Sequence, residues 1–156
     1  MGSGQEEVGW RGFALPALQT RFDALTASVI IGLVWAAWHL PAFVFEIPGY
    51  TRSFAVYALL VVGISIILTW LYNNTEGSIL LAMLLHGGVN AAPSLGVVFV
   101  GEAQAGSVSL YVFLVAAVWI VALALVGQYG RETLSAGSAI THTAQAPAGR
   151  ASEASI

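Results

Sequence analysis

FAVYALLVVGISIILTWLY, Phe54 to Tyr72, runs nineteen residues without a charged side chain. As an α-helix it would reach about 28 Å, close to the thickness of a bilayer's hydrocarbon core. Working outward from it, three further stretches have the same character: Ala24–Phe45, Ser78–Val100 and Val108–Gly127. Ser78–Val100 contains Asn90-Ala-Ala-Pro93, so it reads either as one span or as two shorter pieces. Glu6–Gln19 is only partly apolar and carries Pro16, where a helix would bend or stop. That pattern fits an interfacial or re-entrant helix. The expected fold class is all-α: a polytopic transmembrane helical bundle of about four spans, preceded by an N-terminal helix.

Composition agrees. The chain has 156 residues, 58% of them hydrophobic and 8% charged, where soluble domains carry about 25% charged residues. Lysine is absent and the net charge is −3, so there is no basic surface for nucleic acid. Cysteine is absent too, which excludes disulfide frameworks, thiolate nucleophiles and cysteine-type zinc sites. Residues 1–4 read as a scar or a truncated start, 5–128 as one membrane domain, and 129–156, rich in Ser, Thr, Ala and Gly, as a disordered tail. With four spans, Arg11, Arg21, Arg131 and Arg150 fall on one side and Arg52 on the other. That asymmetry puts both termini in the cytoplasm.

Against this background six polar residues stand out: Glu6, Glu7, Arg11, His39, His86 and Asn90. Ionisable groups in or beside apolar spans are costly, and they mark interior or wetted sites. On a helix Glu7 and Arg11 are four apart and can pair, while Glu6 points about 100° away. The two carboxylates therefore meet different environments, a pattern that marks acid/base assignments. Acidic residues in a helix's first turn also simply favour its dipole. His39 lies deep in an apolar span, two residues before Pro41, where the helix is expected to kink or end and to free the Ala37 carbonyl. His86 and Asn90 are four apart and share a face, Gly87 and Gly88 permit close approach, and Pro93 is expected to break the helix just beyond. Taken singly, each histidine and the asparagine could equally bond to a neighbouring helix.

At these residues the chain resembles the CPBP intramembrane proteases (CAAX protease and bacteriocin-processing, or Abi, family), of the bacterial type. The family's Glu-Glu-x-x-x-Arg is matched by Glu6, Glu7 and Arg11. Its aromatic-x-x-x-His is matched by Trp35 and His39, and its His-x-x-x-Asn by His86 and Asn90. The resemblance covers about Gln5 to Gly127. Members usually carry several apolar helices ahead of the first motif, whereas this chain starts five residues before Glu6.

The resemblance implies an intramembrane endopeptidase, CAAX-processing-like, acting on peptide or protein substrates that include prenylated ones. It places the chain in the lipid bilayer of a bacterial cell membrane. In that reading Glu6 activates a water, His39 holds it, His86 shares the water or the oxyanion, and Asn90 donates to the oxyanion. Glu7 and Arg11 fix the first helix. A metal-free mechanism is favoured, because the glutamates explain themselves as a base and an ion pair. Zinc is the variant, since two histidines and a glutamate can bind it with one position open. The alternatives are a non-catalytic membrane scaffold, a bacteriocin-immunity-type binding protein, and part of a proton or ion pathway.

Overall fold

The computed structural model describes residues 4–50, 53–100 and 108–137, with the side chains of 93–100 and 108–109 left aside. The elements, in order, are α1 (Glu6–Gly9), a π-helical turn (Trp10–Ala14), α2 (Leu15–Gln19), α3 (Ala24–Val44), α4 (Phe54–Asn73), α5 (Ile79–Val100) and α6 (Val108–Tyr129). Everything regular among the described residues is helical. Ala24–Val44, Phe54–Asn73 and Leu110–Tyr129 are long and apolar enough to cross a membrane, and Ile79–Ala92 is a shorter apolar helix. The chain is an integral membrane protein with the helical bundle expected from its sequence.

α4 is the hub, packing against α3, α5 and α6. Small residues let its neighbours come close. A Cβ at Gly32 of α3 would lie 2.8 Å from the Val62 Cα of α4, and one at Gly63 of α4 would lie 2.7 Å from Val118 Cγ1 of α6. Close backbone approach through small residues is how helices associate in lipid, where burying apolar surface brings little gain. Trp35, Ala36, Leu60, Val61, Ile64, Leu68 and Ala82 form the core at that contact.

The N-terminal helix runs on through Pro16, so the stop expected there does not occur. The proline sits at the start of α2, where its missing N–H is tolerated. Just upstream the helix widens, and the Leu15 N–H bonds to the Trp10 carbonyl five residues back. That wider turn falls on Arg11.

Neither Pro41 nor Pro93 ends its helix. α3 continues to Val44, with the Phe45 N–H bonded to the Pro41 carbonyl at 2.9 Å. Its last turn is held by Phe43, which packs on Tyr50, Phe54 and Tyr57 with ring centroids 5.0 to 5.3 Å apart. α5 is helical from Ile79 to Val100, across Pro93. Each proline deletes one backbone donor, a loss membrane helices absorb where neighbouring groups compensate.

The start of α3 is tied down on the other side of the bundle. Asp23 Oδ1 accepts from the Thr26 N–H at 2.9 Å, and Asp23 Oδ2 pairs with Arg131 Nη2 at 2.8 Å. Partial burial pushes the Asp23 carboxyl up, but the bonds from Thr26 and Arg131 outweigh it and hold the pKa at about 2.

The expected disorder does not begin at residue 129, because residues 131–134 are bonded to the bundle. The Ala24 and Leu25 N–H groups donate to the Glu132 and Arg131 carbonyls at 2.9 and 3.1 Å. Asn73 Nδ2 donates to the Thr133 carbonyl at 2.7 Å, and Asn74 Nδ2 to the Leu134 carbonyl at 2.8 Å. Leu134 is fully buried in a cluster with Ala24, Val62, Ile66 and Ala122. The segment up to Gly137 is anchored through its backbone and one leucine, which a composition-based reading cannot register. Residues 138–156 lie outside the described residues, as do 1–3 of the expected N-terminal scar. Gly4 is buried, with its backbone against Met83.

Candidate active site

Glu7, Arg11 and Leu15, four apart, are all fully buried along one stripe of the N-terminal helix. Arg11 Nη1 straddles the Glu7 carboxylate, 3.0 Å from Oε2 and 3.2 Å from Oε1, and only the Oε1 contact has hydrogen-bond geometry. The pair forms as the i, i+4 spacing predicts. His86 of α5 completes it, its Nδ1 lying 2.8 Å from Glu7 Oε1. A carboxylate accepts, so His86 Nδ1 carries the proton and, in the neutral ring, Nε2 keeps its lone pair for other work.

Trp35 is the wall between the two histidines. Its ring lies 4.8 Å from that of His86 and 6.4 Å from that of His39, and the Arg11 guanidinium carbon is 5.7 Å from its centroid. Such spacing suits cation–π and edge contacts. His39 Nδ1 is 3.0 Å from the Trp35 carbonyl one turn back. A carbonyl can only accept, so here too Nε2 is the free nitrogen. The other face of His39 meets Tyr50 and Tyr57, with centroids 5.9 and 5.6 Å away.

The remaining two residues are exposed. Glu6 is open beside buried Glu7, and Asn90 stands one turn beyond His86 on α5, also open. Burial and the nearby Glu6 charge together push the Tyr50 phenol above its usual range. Glu7, Arg11, His86 and, through Trp35, His39 are thus gathered directly. Glu6 and Asn90 share their helices and border the group.

Sequence reasoning missed three contributors. Arg11 Nη2 donates to the Ser65 carbonyl at 3.1 Å and to Ser65 Oγ at 3.0 Å. Tyr50 and Tyr57 frame His39. Ser65 is one hydroxyl in an apolar span, and its signal would have been the need of a buried guanidinium for more acceptors than one carboxylate supplies.

Among the described residues no three His, Asp or Glu side chains are gathered as a metal ion's ligand set. The Glu7 carboxylate is already engaged by Arg11 and His86.

The family model described as Rce1-like, type II CAAX prenyl endopeptidase, matches residues 2–92, a stretch that holds both glutamates, Arg11, both histidines and Asn90. The chain belongs to this Rce1-like family. A curated relative, CAAX prenyl protease 2 of Methanococcus maripaludis, is 33% identical over 92 residues, covering 54% of this chain and 34% of the relative. The chain therefore spans about a third of the length of that relative. No solved structure matches the chain.

Proposed function

We propose that the chain carries the site of a CAAX-type endopeptidase that hydrolyses peptide bonds with a glutamate-activated water and no metal. The observation that carries this reading is the division of labour between adjacent glutamates: Glu7 is sealed and paired, while Glu6 is open and accessible to a water and a substrate. Membership of the Rce1-like family and the likeness to CAAX prenyl protease 2 support the reaction class.

Glu6 takes a proton from water as the water oxygen attacks the scissile carbonyl carbon. His39, its Nδ1 committed to the Trp35 carbonyl, offers Nε2 to orient that water. The carbonyl oxygen becomes an oxyanion, and the Asn90 amide donates to it. His86, held in one tautomer by Glu7, supports the same charge when protonated. The C–N bond then breaks and Glu6 passes its proton to the leaving amine. Glu7 and Arg11 do no chemistry and keep His86 and the first helix in place. Substrates are peptides or proteins, prenylated ones included, reached from the bilayer. The arginine asymmetry puts the termini in the cytoplasm, and a bacterial cell membrane is the setting this reading favours.

The test is cleavage of a quenched-peptide library by the chain in lipid nanodiscs, beside its Glu6→Gln variant and with a chelator added in parallel. Cleavage lost in the variant and kept in chelator is the expected result. Equal cleavage by both proteins would remove Glu6 from the mechanism. Activity that chelator abolishes and zinc restores would overturn the metal-free reading.

A further inference from the structure

Ser65 lies mid-way along α4, fully buried, and no part of the proposed chemistry uses it. Its hydroxyl makes two bonds of opposite sense. Oγ donates to the Ser28 carbonyl of α3 at 2.8 Å and accepts from Arg11 Nη2 at 3.0 Å. A serine hydroxyl has one proton, so the bond to Ser28 fixes its direction and turns a lone pair towards Arg11. The Ser65 carbonyl accepts from the same Nη2 at 3.1 Å and from Thr69 Oγ1 at 2.9 Å. Room for this arrangement comes from Gly32, since a Cβ there would stand 3.2 Å from Ser65 Cβ.

We propose that Ser65 is a positioning residue that sets the angle of Arg11 and, through Glu7, the placement of His86. The inference rests on reading this cluster as a protease site. The chain of contacts is unbroken: the Ser28 carbonyl orients Ser65, Ser65 holds one arm of the guanidinium, the other arm straddles Glu7, and Glu7 holds His86 Nδ1. Without the hydroxyl, Arg11 keeps only the Ser65 carbonyl on that arm and is free to pivot. Polarisation along such a buried chain makes each bond depend on its neighbours.

The test compares Ser65→Ala with Ser65→Cys in nanodiscs. Cysteine fills the site, being slightly larger than serine, but is a weak donor and acceptor. Three readouts are taken: kcat and KM for a cleaved peptide, thermal unfolding, and the resonance of the His86 Nδ1 proton in protein labelled with 15N-histidine. Both variants are expected to lose up to about 100-fold in kcat with KM unchanged, the scale of an ångström-sized misplacement. Both are also expected to shift the His86 proton resonance while still unfolding cooperatively. Full activity and an unmoved His86 signal in Ser65→Cys, with losses only in Ser65→Ala, would make Ser65 a packing residue and overturn the proposal. An unmoved signal in both variants would overturn it as well. If even the unaltered chain cleaves nothing, the protease reading is what fails, and the His86 resonance alone still decides the role of Ser65.

Discussion

Glu7 is sealed between Arg11 and His86 with no exposed surface, whereas Glu6, the residue before it, stands open. The same contrast divides the whole site. Glu7, Arg11 and His86, bonded to one another and packed against Trp35, form a closed half. Glu6, Asn90 and the Tyr50-covered edge of His39 form an open half. A carboxylate inside a membrane protein persists only if its charge is compensated, and a base must be reachable. One residue cannot do both, and in the proposed mechanism the adjacent glutamates take one task each because successive side chains diverge by about 100°. The closed half should therefore govern stability and the placement of His86, and the open half the proton transfer.

The largest effect should fall on the open half. Glu6→Gln is expected to lower kcat by about 100- to 10,000-fold, the range for removing a general base, with the unfolding temperature in nanodiscs unchanged. A drop in unfolding temperature on that substitution would erase the distinction between the halves. Next comes Arg11→Ala, which leaves Glu7 buried without its counter-charge and should destabilise by about 3–5 kcal/mol. Denaturant unfolding in mixed micelles measures it, and a change below about 1 kcal/mol, the level of an exposed pair, would mean the cluster is wetter than its burial implies. Gly32→Ala should cost about 1–3 kcal/mol through overpacking, because its new Cβ would meet the Val62 backbone at 2.8 Å. A smaller loss of activity, from a displaced Ser65, should accompany it. The smallest effect lies at the far end of the bundle. The Asp23 carboxyl sits at about 2 when folded, below the roughly 3.9 of an unfolded aspartate. Its contribution is therefore fully present above about pH 4 and fades as pH falls towards 2. Removing the cap by Asp23→Ala should cost about 1 kcal/mol at neutral pH, and the difference between variant and parent should shrink in acid. A constant difference from pH 7 to pH 2 would disconnect the ionised carboxylate from the effect.

Much of the scaffold could be read from the chain because bilayer spans announce themselves by length and apolarity. The observed Ala24–Val44 and Phe54–Asn73 end within one residue of expectation. The pairing of Glu7 with Arg11 was legible for a similar reason, since i, i+4 spacing is local. What joins distant segments was not. Glu7 and His86 are 79 residues apart and Arg11 and Ser65 are 54 apart, and nothing in a single sequence ranks Ser65 above Thr69 or Ser28 as a partner. The prolines misled because proline reports a missing donor and a local clash, not whether neighbours hold the helix together across the gap. Pro41 is followed by Phe43, whose aromatic neighbours hold the last turn. Asn73 and Asn74 hold residues 133–134 against the bundle through their amides. Their partners are backbone carbonyls, which every residue has and no sequence pattern reveals.

The wide turn at Trp10–Ala14 limits the changes the first helix can accept. In a regular α-helix each step of four residues overshoots a full turn by about 40°, so a row spaced by fours drifts sideways round the cylinder. Glu7, Arg11 and Leu15 do not drift out of contact, because the widened turn absorbs one additional residue between the carboxylate and the leucine. Substitutions on the outer face, at Val8 or Phe13, leave that alignment intact. Deleting a single residue from that turn would let it close to an ordinary α-helical one with Leu15 still in its slot beside Ala27 and Ile31, whereas inserting one would swing everything after it by about 100°. This segment can thus be shortened by one residue but not lengthened.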